Sequence, residues 1–243
     1  MKKSLLKILG IGGIVLSSLL PMKKAEAQTK EQTKEPLVKG TISAGIFSHY
    51  VAPMGYVLGK GPHWQNYVNM NMKSFKLFGW SDYDFGPKSM NEIDLGIEYS
   101  KKIKNTSAKV GATYWNYPSG GEDKIVYVNL EHDNKITKSI SLAHLVKDKG
   151  NEGGFYLTSK ISKKFNHKNG FSSDLGISSA YLFNFYDDTG FSHITPGTNI
   201  NWNSGNVNLT GSLNYQFGFI KEPERLPPIK NQLYGSFNLS VDF

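Results

Sequence analysis

The period of the apolar residues constrains this chain more than any other feature of its sequence. Between residues 207 and 219 the odd positions carry Val, Leu, Gly, Leu, Tyr, Phe and Phe, and the even positions carry Asn, Thr, Ser, Asn, Gln and Gly. A period of two is typical of a β-strand with one apolar and one polar face. The same period recurs from residue 37 onward, and no segment keeps a helical apolar stripe for three turns. The chain is therefore predicted to be all-β.

Twelve segments show this alternation, and most of them are ten or more residues long. Strands of ordinary globular proteins have about five or six residues, whereas a tilted strand that crosses a bilayer needs about 9–11. The lengths therefore predict a transmembrane, antiparallel up-and-down β-barrel of about 12 strands. The predicted strands are 37–50, 63–72, 75–84, 91–102, 106–116, 124–132, 136–147, 154–165, 172–185, 191–203, 207–220 and 231–243.

The links between these segments tend to alternate between longer and shorter ones. The long first link is followed by Lys73-Ser74, and the last link, KEPERLPPIK at 221–230, is long again. Outer-membrane barrels have short periplasmic turns and longer extracellular loops. With an even number of strands, this pattern predicts that both the N- and C-termini are periplasmic.

A water-soluble β-sandwich is the alternative, because its strands alternate as well. Strand length argues against a sandwich, and so do aromatic residues near the predicted strand ends. Such residues suit the interfacial girdles of a membrane barrel, which is therefore the preferred interpretation. The aromatic residues are Trp64, Tyr83, Tyr99, Tyr114, Tyr181, Phe185, Trp202 and Phe219.

The start of the chain predicts export. Residues 1–27 combine a lysine-rich beginning with a short apolar core and the small-x-small sequence Ala25-Glu26-Ala27, as a cleaved secretory signal peptide does. The alternative is an uncleaved anchor. Residues 28–36 are polar and are expected to form a disordered lead-in, and residues 37–243 are expected to form the barrel. Export followed by cleavage near Ala27 predicts a location in the bacterial outer membrane.

Charge and cysteine content exclude other classes of protein. The formal net charge is +8, but the five Lys and one Glu of residues 1–27 supply half of it. Arg225 is the sole arginine, and no basic helix or nucleic-acid motif is present. A nucleic-acid partner is therefore not expected. The chain has no Cys, so an exported form must be stable without disulfides.

The last predicted strand carries a signal of its own. Phe237, Leu239, Val241 and Phe243 alternate with polar residues, so this face is expected to contact outer-membrane lipid. The strand must pair with the first one to remove the last sheet edge. An aromatic residue after such an alternation also resembles the assembly signal of bacterial outer-membrane proteins. That resemblance implies the barrel-assembly machinery as a partner.

Four parts of the chain carry a family resemblance: TISAGIFSHYV, NEIDLGIEYSKKI with AKVGATYWNYP, TGFSHITPGTNI with NVNLTGSLNYQF, and LYGSFNLSVDF. Together these segments resemble the TorF-type porin family, a group of small outer-membrane barrels, and the resemblance covers most of residues 37–243. It implies an outer-membrane barrel and brings no catalytic residues.

Outer-membrane enzymes need a His within hydrogen-bond reach of a Ser or a carboxylate. Four of the six His residues fall near the predicted outer rim, where water is the expected environment: His49, His63, His144 and His193. Ser192 and His193 are adjacent, and neighbours in a regular strand point to opposite faces, so they are not expected to interact directly. No metal-ligand spacing is present. The sequence therefore predicts no catalytic residues, no metal and no cofactor.

The predicted inward faces are mostly small and polar, for example Ser43, Ser178, Ser212 and Ser236. Twelve strands lie between eight, whose side chains fill the interior, and sixteen, which leave a channel. The favoured function is thus a narrow porin for passive diffusion of small hydrophilic solutes. The alternatives are a closed structural or adhesive barrel that acts through its loops and, third, an outer-membrane hydrolase. Bulky inward residues would narrow the lumen: Phe47, Trp115, Tyr127 and Tyr156.

Charged residues on the inward faces allow two interpretations, a selectivity determinant or internal ion pairing. A tight hairpin centred on residues 103–104 would place Glu98 directly opposite Lys109, and that pair is predicted to line the lumen. The full set of lumen-lining candidates is Asp94, Glu98, Lys109, Lys160, Asp174, Asn214 and Asn238.

Overall fold

The structure is a computed structural model that describes residues 38–59, 61–146, 153–221 and 227–243. The predicted signal peptide and the polar lead-in at 28–36 lie outside the described residues. The described part of the chain contains no helix that is long and apolar enough to serve as a transmembrane helix.

Fourteen β-strands are formed by the described residues, and the predicted bounds agree with them closely. Twelve strands make one closed barrel, and the short strands β2 and β3 make a separate hairpin. The strands are β1 (Lys39–Phe47), β2 (Tyr50–Val51), β3 (Val57–Leu58), β4 (His63–Met72), β5 (Phe75–Asp84), β6 (Ser89–Ile103), β7 (Thr106–Asn116), β8 (Glu122–His132), β9 (Thr137–Leu145), β10 (Gly154–Asn166), β11 (Phe171–Phe185), β12 (Asp188–Ser204), β13 (Val207–Gly218) and β14 (Gln232–Asp242).

Each barrel strand pairs with its sequence neighbours in antiparallel fashion, with β1 followed by β4. The sheet closes because β1 pairs with β14 as well as with β4. A closed sheet has no unpaired edge, so every strand of the barrel has a hydrogen-bonded neighbour on both sides. The prediction of an all-β, antiparallel barrel of about 12 strands is confirmed.

The pair β1–β14, which we call the closing seam, joins the two ends of the barrel sequence. Gly40 and Phe243 exchange both backbone hydrogen bonds, with N···O distances of 2.8 and 2.9 Å. The phenyl ring of Phe243 also covers the bare Cα of Gly40, because a Cβ there would overlap the ring. An aromatic side chain over a glycine on the next strand is a known stabilising device in sheets.

The two faces of the sheet differ in the way a lipid-facing barrel requires. On β6, Leu95 is 60% exposed and Ile97 47%, whereas Glu98 is 8% exposed. The apolar residues therefore point outward and the polar ones point into the barrel. A belt of exposed apolar side chains this extensive needs an apolar environment.

The links differ in length at the two ends of the barrel. At the end that holds Lys39 and Asp242, called the turn end here, the links are short: 73–74, 104–105, 133–136, 167–170 and 205–206. At the opposite loop end most links are longer: 48–62, 85–88, 117–121, 146–153, 186–187 and 219–231.

The predicted pairing of Glu98 with Lys109 is wrong. The turn between β6 and β7 consists of Lys104 and Asn105, with Lys104 at a φ of 54°. Glu98 consequently lies opposite Gly111, and Lys109 lies opposite Ser100. The register differs by two residues, which keeps every side chain on its predicted face but changes its partner.

The sequence predicts Phe185 in an interfacial girdle, and this is wrong, because the structure buries the residue completely. The pairing of β11 with β12 is irregular between Leu182 and Phe185, where Asn184 adopts a positive φ of 52°. This irregularity turns the Phe185 ring toward the barrel interior, where it joins an apolar cluster.

Candidate functional site

A cavity of about 310 Å³ lies inside the barrel. It is lined by residues of β12, β13, β14, β1, β4 and β5, which are six consecutive strands of the closed sheet. Half of the barrel wall thus borders the cavity, so β12 and β5 lie at opposite ends of this arc. None of the described residues that line the cavity is an Asp, Glu, Lys, Arg or His. The lining residues are Ser43, Phe47, Gln65, Asn66, Tyr67, Trp80, Asn199, Thr210, Ser212, Asn214, Ser236 and Asn238.

Three of the four lining asparagines lie on neighbouring strands, Asn199 on β12, Asn214 on β13 and Asn238 on β14. Asn214 lies opposite Gly197, and Asn238 lies opposite Gly45. A Cβ at either glycine would overlap the facing carboxamide oxygen. Both carboxamides therefore lie across the bare glycine Cα atoms, close against the wall.

A charged network occupies the neighbouring part of the wall. Lys76 and Glu98 are direct partners across β5 and β6, with Nζ and Oε1 2.9 Å apart. The Tyr127 hydroxyl on β8 donates a 3.0 Å hydrogen bond to the other carboxylate oxygen of Glu98. Tyr127 reaches Glu98 across β7 because its ring lies over Gly111, where a Cβ would overlap it.

The predicted lumen residues are distributed over several places. Asn214 and Asn238 border the cavity. Asp174 accepts a 2.8 Å hydrogen bond from Asn201, and Lys160 is exposed on β10 with Ser139 and Ser178 as cross-strand partners. Asp94 and Glu98 share the inward face of β6, and Lys109 lies between Ser100 and Asn129.

The loop end is occupied by the hairpin of β2 and β3, residues 50–58, which we call the inner hairpin. Its Ala52, Met54 and Tyr56 are at most 4% exposed. They belong to an apolar cluster whose other members come mainly from β8 to β11. The remaining buried members are Ile125, Ala143, Leu145, Tyr156, Leu182, Phe185 and Ile229.

Hydrogen bonds tie the inner hairpin to opposite parts of the barrel. The Tyr50 hydroxyl donates to Glu92 at the start of β6, at 2.9 Å. On the other side, the side-chain amide of Gln216 on β13 donates to the Gly55 carbonyl at 2.8 Å. Since β6 and β13 are far apart in the sheet order, the hairpin lies across the barrel interior.

The hairpin tip is fixed by Tyr56, whose side chain is fully buried. The Tyr56 hydroxyl donates a 2.6 Å hydrogen bond to Asp188, at the start of β12. Burial raises the pKa of the Tyr56 phenol well above its ordinary value, and the hydrogen bond to Asp188 raises it further. The phenol therefore stays protonated and keeps donating at physiological pH.

Two more tyrosines in the loops of this end share one carboxylate. The hydroxyls of Tyr117 and Tyr186 both donate to Oδ2 of Asp123, that of Tyr117 at 3.2 Å. Burial raises the pKa of each phenol, and nearby acidic groups act in the same direction. This cluster links the 117–121 loop to the 186–187 turn.

The expectation that Ser192 and His193 point to opposite faces is wrong. Ser192 Oγ lies 3.0 Å from His193 Nδ1, and the Ser192 hydroxyl also donates to the Met54 carbonyl of the inner hairpin. The register between β11 and β12 shifts between Ala180 and Tyr181. The extra residue of this bulge allows two adjacent side chains to point the same way.

The expectation of water-exposed rim histidines is also wrong for two of them, because His63 is 0% exposed and His193 6%. His63 Nδ1 lies 2.8 Å from Asp82, and its Nε2 lies 3.9 Å from Asp84. Alternation alone could have placed these three side chains on inward faces of paired strands. Within the described residues, no group of three or more His, Cys, Asp or Glu side chains is arranged to hold a metal ion.

The fold matches solved outer-membrane barrels at very low sequence identity. A KdgM porin superposes with a TM-score of 0.53 at 9% identity, covering 84% of this chain and 98% of that one; a KdgM porin solved in complex with disordered oligogalacturonate gives 0.54 at the same identity and coverage. The COG4313 outer-membrane channel from Pseudomonas putida F1 gives 0.52 at 9% identity, covering 90% of this chain and 100% of that one. Neither a protein-family model nor a curated protein sequence matches the chain. The chain therefore has the fold of outer-membrane β-barrels.

Proposed function

We propose that this protein is a narrow channel of the bacterial outer membrane through which small hydrophilic solutes diffuse passively. The observation that carries the proposal is the cavity, whose lining residues are uncharged and mostly polar, inside a barrel with an apolar outer face. Small side chains such as Ser43, Ser212 and Ser236 leave this half of the interior unfilled. A hydrated space of this kind permits hydrophilic solutes to enter without losing hydrogen bonds.

The proposal includes an orientation. Short links at the turn end fit the periplasmic side, and the longer links of the loop end fit the cell exterior. The predicted signal peptide supports export, and the outward aromatic and aliphatic residues of β14 support recognition by the barrel-assembly machinery. We also assign the chain to the TorF-type porins on the segments quoted above. The solved porins of the same fold support this assignment at the level of architecture.

A second candidate is a closed barrel that acts through its external loops. The inner hairpin favours it, because it crosses the interior at the loop end and packs into the apolar cluster. A hydrolase is not supported by the Ser192–His193 contact. Ser192 is fully buried and already donates its hydroxyl to the hairpin backbone, which leaves no access for a substrate.

Conductance distinguishes the two candidates. Purified protein is inserted into planar bilayers in plain salt, and glucose-dependent swelling is recorded in liposomes that contain it. A channel gives discrete current steps and swelling faster than that of protein-free liposomes. A variant that lacks residues 50–58 tests whether the inner hairpin plugs the barrel. A folded but plugged barrel should conduct only after these residues are removed. If neither the native chain nor this variant conducts, the channel function is rejected.

A further inference from the structure

We propose that the cavity is a binding site for small neutral saccharides on their way through the barrel. This inference rests on the proposed channel function and names the class of solute. Its starting point is the combination of uncharged carboxamides, hydroxyls and aromatic rings around one space.

The absence of charge selects among hydrophilic solutes. An ion that enters the cavity gives up part of its hydration, and no oppositely charged side chain among the lining residues compensates for this. The nearby Lys76 and Glu98 are already paired with each other at 2.9 Å, so neither presents an uncompensated charge. A polyhydroxylated neutral solute loses less hydration free energy on entering, because each of its hydroxyls can hydrogen-bond to the wall.

The carboxamides are the groups that match sugar hydroxyls. Each carboxamide has an acceptor oxygen and two N–H donors, and neighbouring sugar hydroxyls act both as donors and as acceptors. Within the described residues, no protein hydrogen bond uses the side chains of Asn199, Asn214 or Asn238. Their hydrogen-bonding capacity is therefore available to a solute.

The position of two carboxamides is fixed by glycines. Asn214 lies across Gly197 and Asn238 lies across Gly45, so both groups are held near the wall. A pre-positioned partner loses less conformational entropy on binding than a mobile one. The glycines thus belong to the site although they contact no solute.

Aromatic rings provide the second surface that a sugar ring requires. Tyr67 and Trp80 line the cavity from β4 and β5, while Asn199 lines it from β12 at the other end of the arc. One face of a pyranose carries mainly C–H groups and can pack on an aromatic ring. The volume of about 310 Å³ is near the lower limit of ligand sites, about 300–1,000 Å³, and this favours small saccharides.

The test compares neutral sugars with charged ones. Glucose, maltose, glucuronate and glucosamine are added at matched ionic strength to single channels, and the half-blocking concentration is measured. Binding of each sugar to the protein in nanodiscs is measured independently by calorimetry. We expect glucose and maltose to block the current and to bind. Glucuronate and glucosamine should need about tenfold higher concentrations or more, because a charge would be desolvated without a partner.

Two variants test the role of Asn214 directly. Asn214→Leu removes the carboxamide at nearly constant volume, and Gly197→Ala displaces it, since the added methyl group meets the Asn214 side chain but no backbone atom closer than 3.4 Å. Each should raise the half-blocking concentration of glucose by about fivefold to tenfold. Gly211→Ala is the matched control, because a Cβ there meets nothing within 4 Å.

The outcomes separate this inference from the proposed function. If the protein conducts but neutral sugars neither block nor bind, the saccharide site is overturned and the channel stands. Equal or stronger block by glucuronate or glucosamine overturns it in favour of a charged solute. If the protein binds neutral sugars but never conducts, the channel function fails while the binding site survives. Unchanged block in both Asn214→Leu and Gly197→Ala rejects the assigned residues.

Discussion

The Nζ atom of Lys76 lies 2.9 Å from Oε1 of Glu98, directly across the β5–β6 pair inside the barrel. Glu98 also accepts the Tyr127 hydroxyl, so both of its carboxylate oxygens are engaged. The structure thus shows an internal ion pair for Glu98, in which the lysine is Lys76 and not the predicted Lys109.

Breaking this ion pair should change the field inside the lumen. Lys76→Met leaves the Glu98 charge without its cation, and we expect the reversal potential in a salt gradient to move toward cation selectivity. Glu98→Gln should move it in the opposite direction. Lys101→Met, on the exposed outward face of β6, is the control. Reversal potentials that match the native value in both inward variants would show that the conducting path avoids this pair.

Loosening the inner hairpin should open the loop end. Tyr56→Phe removes the 2.6 Å hydrogen bond to Asp188 and keeps the ring in place. The loss of a hydrogen bond to a charged group costs about 1.5–3 kcal/mol, so longer or larger current steps are expected. Tyr83→Phe makes the same change on the outward face of β5 and is the matched control. A native current pattern in Tyr56→Phe would mean that the hairpin does not limit conductance.

The tyrosines of the loop end predict an alkaline limit for the hairpin. The pKa values of Tyr56, Tyr117 and Tyr186 are raised in the folded state, whereas the unfolded value is about 10. Groups with raised pKa values contribute stability that is fully present below pH ~10 and is lost as the pH rises through the folded values. Current steps should therefore be insensitive to these groups up to pH ~10 and enlarge above it. An enlargement that begins well below pH ~10 would contradict this assignment.

The closing seam should depend on Phe243. Phe243→Ala uncovers Gly40, and deletion of the residue also removes the two backbone hydrogen bonds of 2.8 and 2.9 Å. We expect less heat-modifiable, membrane-inserted protein in both cases, with the larger loss after deletion. Phe171→Ala changes another exposed aromatic residue at the turn end and serves as the control. Native yields of the deletion variant would show that the seam closes without this residue.

The orientation can be tested in the last loop. An epitope placed between Pro227 and Pro228 lies at the loop end, in the link between β13 and β14. Antibody should label it on intact cells if that end faces the exterior. Labelling that requires lysis would reverse the orientation, and an epitope in the 133–136 turn should then become accessible instead.

Alternation along the chain predicts strands well because it reports which face each residue takes. The predicted bounds 75–84 and 106–116 coincide with β5 and β7. Pairing partners are less accessible to such reasoning, since a two-residue slip preserves both faces. The turn at Lys104-Asn105 therefore decided the partner of Glu98, and its positive φ at a lysine has no clear signature in the sequence.

The features of the site that were missed depend on contacts between distant segments. The bulge at Ser192 places two adjacent side chains on one side, and the inner hairpin folds inward to meet Asp188 and Gln216. The alternating apolar pattern of the inner hairpin is too short to show whether this segment lies outside or inside the barrel. The sequence alternation predicts that the small residues of the cavity wall are polar and point inward. That Asn214 and Gly197 are cross-strand partners follows only from the register.

The closing seam makes this barrel an extreme case of high contact order. Its partners, such as Thr41 and Asp242, are separated by 201 positions in sequence, so the sheet cannot become a cylinder until β14 has been delivered. Until then β1 and the latest strand present free hydrogen-bonding edges, and non-local closure of this kind is slow. The inner hairpin follows β1 directly, yet it docks on β12 and β13. The wall around the lumen must therefore form before the inner hairpin can dock inside it. The lumen of an assembly intermediate should accordingly be wider than that of the finished pore.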